Sequence, residues 1–156
     1  MSQRPAASSM PATPGPSGSD EDATVTYEFQ DSSVPPQFHR SYVLTFDRQQ
    51  ARIVVDSYGE VLADQTVAMS AQAWDQVWSA VEEIGSLQVL QPEQGCTGGT
   101  GFVVKVDRGG QGIVDLDGYA CGGVNSEVSD QVSQWVSPVR SLFPPMSELA
   151  PEGNDE

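Results

Sequence analysis

Apolar and polar residues alternate along 24–30, with Val25, Tyr27 and Phe29 on one side, and again along 41–46, with Tyr42, Leu44 and Phe46 together. A period of two in β-branched and aromatic residues predicts strands half-buried in a sheet. Asp47-Arg48-Gln49-Gln50 turns the chain and 52–56 returns as the next strand. After Ser57-Tyr58-Gly59, a further strand is expected over 60–67. The period then changes. Trp74, Val77, Trp78, Val81 and Ile84 recur at spacings of three and four, one stripe of an amphipathic helix with Ser70 as its N-cap and Gly85 as its stop. Residues 86–90 read as a short strand or a packed connector.

The stretch 95–123, GCTGGTGFVVKVDRGGQGIVDLDGYACGG, reads as a hairpin of strands 102–106 and 113–116, turned by a Gly-rich DRGGQG and flanked by the two cysteines. A second helix follows, capped by Ser126 or Ser129, with the stripe Val132, Trp135, Val136, Val139 and Leu142. Pro138 lies in that stripe and would remove a backbone bond there, unless the helix starts as late as Gln134.

The halves align. Residues 41–56 (SYVLTFDRQQARIVVD) lie on 101–116 (GFVVKVDRGGQGIVDL) at an offset of 60, and the helix stripes align at 58. Each half is a β-hairpin followed by a helix, an internal duplication. The expected fold is α+β, an antiparallel sheet of about five to seven strands with two amphipathic helices on one face. The expected organisation is a Pro/Ser/Gly-rich, disordered tether over 1–24, one domain over 25–143, and a disordered acidic tail over 144–156.

Charge narrows the partners. The chain carries 22 acidic and seven basic residues, a net charge of −15. Phosphate backbones and anionic membrane surfaces are bound by clustered Lys and Arg, so nucleic acid is an unexpected partner. No apolar run of 18 residues occurs, so no transmembrane helix is expected. The N-terminal segment lacks the apolar region of a signal peptide. Its Ser-Gln-Arg-Pro-Ala-Ala-Ser-Ser followed by a Pro/Gly/Ser tether, together residues 1–24, resembles the stretch after the lipidated cysteine of mature bacterial envelope lipoproteins. The resemblance implies an extracytoplasmic, lipid-anchored protein with Met1 where that cysteine would stand. The cysteines agree with an oxidising compartment, Cys96 pairing with Cys121 as a staple across the base of the hairpin.

Candidate chemistry is sparse. GCTGGTG lacks the Lys-Ser/Thr that completes a phosphate loop. One histidine and two cysteines are too few for a structural zinc site, and Asp115-Leu116-Asp117-Gly118 lacks the further ligands of a calcium loop. No metal or cofactor is expected. A nucleophilic cysteine, Cys96 or Cys121, activated by His39 is the sharpest enzyme reading, and it fails if the cysteines are bonded.

Pro35-Pro36-Gln37-Phe38-His39-Arg40 then stands out. As a partner-binding loop it is exposed and partly rigid, with an aromatic and two groups able to carry positive charge. As a plain connection, Phe38 plugs the core and Arg40 pairs with a carboxylate. The sequence as a whole is read as a monomeric, non-enzymatic, extracytoplasmic binding module or inhibitor. The alternatives are a carrier of a small apolar ligand between sheet and helices, and the thiol-dependent enzyme.

Overall fold

The structure is a computed structural model, and it describes residues 22–90, 98–121 and 123–151. Six strands form one antiparallel sheet: β1 (Ala23–Gln30), β2 (Ser41–Phe46), β3 (Gln50–Ser57), β4 (Glu60–Ala68), β5 (Thr100–Arg108) and β6 (Gln111–Ala120), in the order β4-β3-β2-β1-β5-β6. Between β4 and β5 come helices α1 (Ala71–Ser79) and α2 (Val81–Gly85). After β6 come α3 (Ser126–Arg140) and a short α4 (Met146–Leu149). The α+β class and the single antiparallel sheet are as the period-two and helical stripes imply. Among the described residues, no helix is long and apolar enough to cross a membrane.

Alternation decides the faces. Val25 and Tyr27, Leu44 and Phe46, Ile53 and Val55, and Val104 and Val106 are all buried, and they meet both helix stripes in one core. The opposite face carries Thr24, Thr26, Glu28, Thr45 and Lys105, each at least partly exposed. There Arg52 grips Asp64 with two bonds, Nε to Oδ1 at 2.9 Å and Nη2 to Oδ2 at 2.6 Å, holding the Asp64 carboxyl below the usual carboxylate range.

The expected first helix forms in two pieces that join at Ala80, which leaves helical geometry at φ −108° and ψ 7°. Ser70 caps α1, its Oγ accepting from the Ala73 amide at 3.0 Å. Residues 86–90 form a packed connector without strand structure. Gly118 makes room for it: a Cβ there would stand 2.5 Å from Val89 Cγ1.

Neither serine caps α3. Its N-cap is Asn125, held in the left-handed region at φ 63°. The Asn125 side chain instead accepts from Leu90 N at 2.8 Å and donates to Leu90 O and Tyr119 O at 2.7 and 2.9 Å, tying the connector to the end of β6. Short polar side chains that bond locally are the ones that tolerate this backbone. Starting at Ser126, α3 holds Pro138 well inside its span. The carbonyl that proline orphans, Gln134 O, accepts instead from Ser137 Oγ at 2.8 Å. The conflict is thus resolved locally, because the neighbouring hydroxyl replaces the lost amide.

The two hairpins differ in register. Leu44 faces Ile53 in the first, whereas its aligned counterpart Val104 faces Leu116 and not Ile113. The alignment of the second strands therefore does not carry into pairing. The turns differ too. Asp47 Oδ1 accepts from the Gln49 and Gln50 amides, while Gly109 and Gly110, at φ 59° and 82°, make a two-residue turn that side chains would strain.

The aromatic core joins the layers. Trp74 stacks on Trp78 at 5.5 Å and meets Phe46 edge-on at 6.2 Å. Trp135 Nε1 donates to the Val77 carbonyl at 2.8 Å, a buried bond between α3 and α1. Tyr27 and Tyr42 lie edge to face at 5.8 Å and share a hydroxyl hydrogen bond, with the Arg140 guanidinium 5.9 Å from the Tyr42 ring centre. Burial, more than the neighbouring phenol, holds Tyr27 far above the ordinary phenol range. Burial also raises Tyr42, against the opposing pull of Arg140.

Because the folded state keeps the Tyr27 proton that the unfolded chain releases near pH 10, this stability is complete below that pH and is lost as pH rises beyond it. Alkaline unfolding should begin there. Tyr27→Phe should leave the tyrosinate absorbance gained before unfolding unchanged, and a lower amplitude would show that Tyr27 ionises in the native state.

Candidate functional site

The loop between β1 and β2 is built by residues at both its ends. The Asp31 amide donates to Ser41 Oγ at 2.9 Å, and the Asp31 carboxylate accepts from the Ser32 and Arg40 amides at 2.8 and 2.9 Å. These bonds pinch the loop shut. Inside it, Pro35 O accepts from the Phe38 and His39 amides at 2.9 and 3.1 Å, a single helical turn with Phe38 on it. The two prolines restrict the approach to that turn before any contact forms.

The β3–β4 turn braces the loop from the side. Ser57 Oγ donates to Pro36 O at 2.7 Å, and the Tyr58 hydroxyl donates to Val34 O at 2.6 Å. Tyr58 adopts φ 50° ahead of Gly59 at 95°, which closes a two-residue hairpin turn and aims the ring back over the loop. His39 stacks on that ring at 3.8 Å and 24°. His39 is buried, and its Nδ1 has no hydrogen-bond partner among the described residues.

Arg40 anchors the assembly. Its side chain is buried, and its Nε donates to Ala150 O at 2.8 Å, Nη2 to Pro151 O at 2.6 Å, and Nη1 to His39 O at 2.7 Å and Pro36 O at 3.3 Å. The reading of this segment as a plain connection needs correction on two counts. Among the described residues, the Arg40 guanidinium meets backbone carbonyls and no carboxylate. Phe38 does not plug the core; it stays 41% exposed beside the buried His39. Two further apolar side chains, Tyr58 and Val61, are exposed on or just after the bracing turn.

The expected acidic tail changes as well. Residues 144–151 are ordered, with Leu149 and Ala150 buried and α4 held by its own turn bonds. Arg40 gives this segment the partners that its composition did not suggest. At the other end, β1 starts at Ala23, inside the expected tether; residues 1–21 lie outside the described residues.

Of the expected staple, Cys96 lies outside the described residues. Cys121 follows β6, exchanges backbone bonds with Val124, and is not a free thiol. His39 lies just before β2 and Cys121 just after β6, three strand spacings apart in the sheet order, on the order of 14 Å. A thiol–imidazole pair needs about 3 Å, so Cys121 and His39 form none. Asp115 and Asp117 face outward on β6 and are exposed.

The small-ligand reading requires space beside the tryptophans. Trp74 and Trp135 are packed, but a half-open cleft of about 570 Å³ lies beside Trp78. Its walls are Trp78, Ser79, Val81, Glu82, Gly85 and Ser86 from the helices, and Arg108, Ile113 and Val114 from the hairpin. Gly85 lets α2 approach β6 closely, since a Cβ there would stand 3.1 Å from Val114 Cγ2. The cleft brings together residues of the α1–α2 segment and of the β5–β6 hairpin that are distant in sequence.

No protein-family model matches this chain, and neither does any curated protein sequence.

Proposed function

We propose that this protein is a non-enzymatic, extracytoplasmic binding module that engages a protein partner through Phe38 and the Asp31–Arg40 loop. The carrying observation is the contrast within that loop. His39 and Arg40 are buried and multiply bonded, yet Phe38 stays 41% exposed between two braced segments. A large apolar group presented without conformational freedom loses little entropy on binding, which is what makes an effective interface anchor. Tyr58 and Val61 extend the apolar patch. With a net charge of −15 on the chain, the partner offers an apolar pocket with a basic rim.

The compartment is proposed on the cysteines and the N-terminal segment. Cys121 is not a free thiol, and Cys96 is its proposed partner, closing the base of the β5–β6 hairpin. The N-terminal segment supplies a tether of lipoprotein type, and the domain acts as a monomer on it. Alkylation of the unfolded, unreduced protein should label no cysteine; two labelled thiols would remove the support for an oxidising compartment.

The binding face is tested with a photo-crosslinking phenylalanine analogue at position 38, in the cells that make the protein. A discrete adduct is expected from position 38 and none from Lys105 on the outer sheet face. With the purified partner, Phe38→Ala should raise Kd at least tenfold with Tm unchanged. Equal crosslinking from both positions would refute the proposed face.

A further inference from the structure

We propose that the cleft between the α1–α2 segment and the start of β6 binds a small amphipathic monoanion, an apolar body with one carboxylate-type head group. The cleft lies where Arg108 faces Gln111, whereas the Asp31–Arg40 loop follows the β1 end at Gln30, which faces Gly101 at the far end of β5. It is therefore a second site, independent of the partner face. Its volume of about 570 Å³ is that of small-molecule sites generally.

The apolar wall has a specific origin. Val106 faces Val114 and Asp107 faces Gly112, so Ile113 is the extra residue of a β-bulge. Bulges re-aim side chains, and this one brings Ile113 to the cleft beside Val114, with Trp78 and Val81 on the helix wall. Ile113 remains 40% exposed at the edge of the cleft. An apolar ligand body would cover it.

The polar lining selects the head group. Both lining serines already donate to carbonyls of their own helices, Ser79 Oγ to Gln76 O at 3.1 Å and Ser86 Oγ to Glu83 O at 2.8 Å. Arg108 is half-buried, and its guanidinium makes no hydrogen bond or ion pair with any described residue. The guanidiniums of Arg40, Arg52 and Arg140 are all engaged. A planar fork whose donors meet no described residue, beside an apolar hollow, matches a carboxylate, which it can grip with two parallel bonds. Glu82 on the helix wall opposes a second negative charge, so the ligand carries one.

The test titrates the full chain with decanoate, decanol and decyltrimethylammonium, each below its micellar range, by calorimetry and tryptophan fluorescence. Decanoate should bind saturably at one site and at least tenfold more tightly than either of the others. Arg108→Gln should remove that preference while leaving decanol binding and Tm unchanged. Ile113→Trp, at an exposed position, should fill the cleft and abolish binding; Ser79→Trp does the same from the helix wall if the first variant folds poorly. Absence of saturable decanoate binding overturns the proposal. So does equal affinity for the cation, full affinity in Arg108→Gln, or binding that survives both tryptophan variants.

Discussion

Arg40→Ala should destabilise the protein by about 4 kcal/mol and release the C-terminal segment. The side chain is buried, and its guanidinium bonds four carbonyls, Ala150 O, Pro151 O, His39 O and Pro36 O. Hydrogen bonds to a charged donor contribute about 1.5–3 kcal/mol each, and carbonyls left unpaired in a buried place cost about 1–3 kcal/mol. At least two of the four are in buried surroundings, so a loss of about 4 kcal/mol is the moderate reading. Urea denaturation gives the magnitude.

Truncation after Pro144 supplies the second measurement. If Arg40 acts mainly by holding Ala150 and Pro151, the two changes together should cost clearly less than their sum. Full additivity would mean that the strap and the arginine stabilise the fold independently. Amide exchange over 146–150 should quicken in Arg40→Ala ahead of the sheet, because the segment is short and its anchor is gone. Arg40→Lys should recover little, since one ammonium cannot reach carbonyls arranged for a planar fork.

Trp74→Ala should cost about 3–5 kcal/mol, the range for removing a fully buried large aromatic. Trp74 is 1% exposed and touches both layers, stacking on Trp78 and meeting Phe46 edge-on. Its removal leaves a void between α1 and β2 that rigid strands on one side and α3 on the other cannot close. Trp74→Phe should recover much of the loss and Trp78→Ala should cost less, because Trp78 is only half-buried beside the cleft. A loss below about 1 kcal/mol for Trp74→Ala would show that the core repacks. Since Trp78 lines the cleft, Trp74→Phe should also perturb ligand binding there more than Phe38→Ala does.

Much of the fold was legible because alternation and helical spacing are local. The strands at 24–30 and 41–46, the stripe from Trp74 to Ile84 and the Gly-rich turn at 109–110 need only neighbours a few residues away. The details that escaped depend on groups far apart in sequence. The Asn125 cap requires Leu90 and Tyr119, and the α3 proline is tolerable because Ser137 reaches Gln134 O. The tail at 144–151 looked unstructured because its composition offers little apolar surface, yet it is bound by an arginine 110 residues earlier.

For the candidate sites the division is sharper. Pro35, Pro36, Phe38, His39 and Arg40 stood out as a segment, but their exposures were not readable. Phe38, the apolar member, is the exposed one, and Arg40, the charged member, is the buried one. Tyr58 carried no signal beyond its place in a turn, and Arg108 read as a turn residue in a repeated Asp-Arg pair.

By itself, the sequence determined which residues face the core, where the chain turns and that the class is α+β, because a polar backbone must pair and apolar side chains must share one face. Tertiary structure decided which strands are neighbours, which arginine is spent on carbonyls and which lines a cleft. Those outcomes turn on distances between segments that no local period encodes.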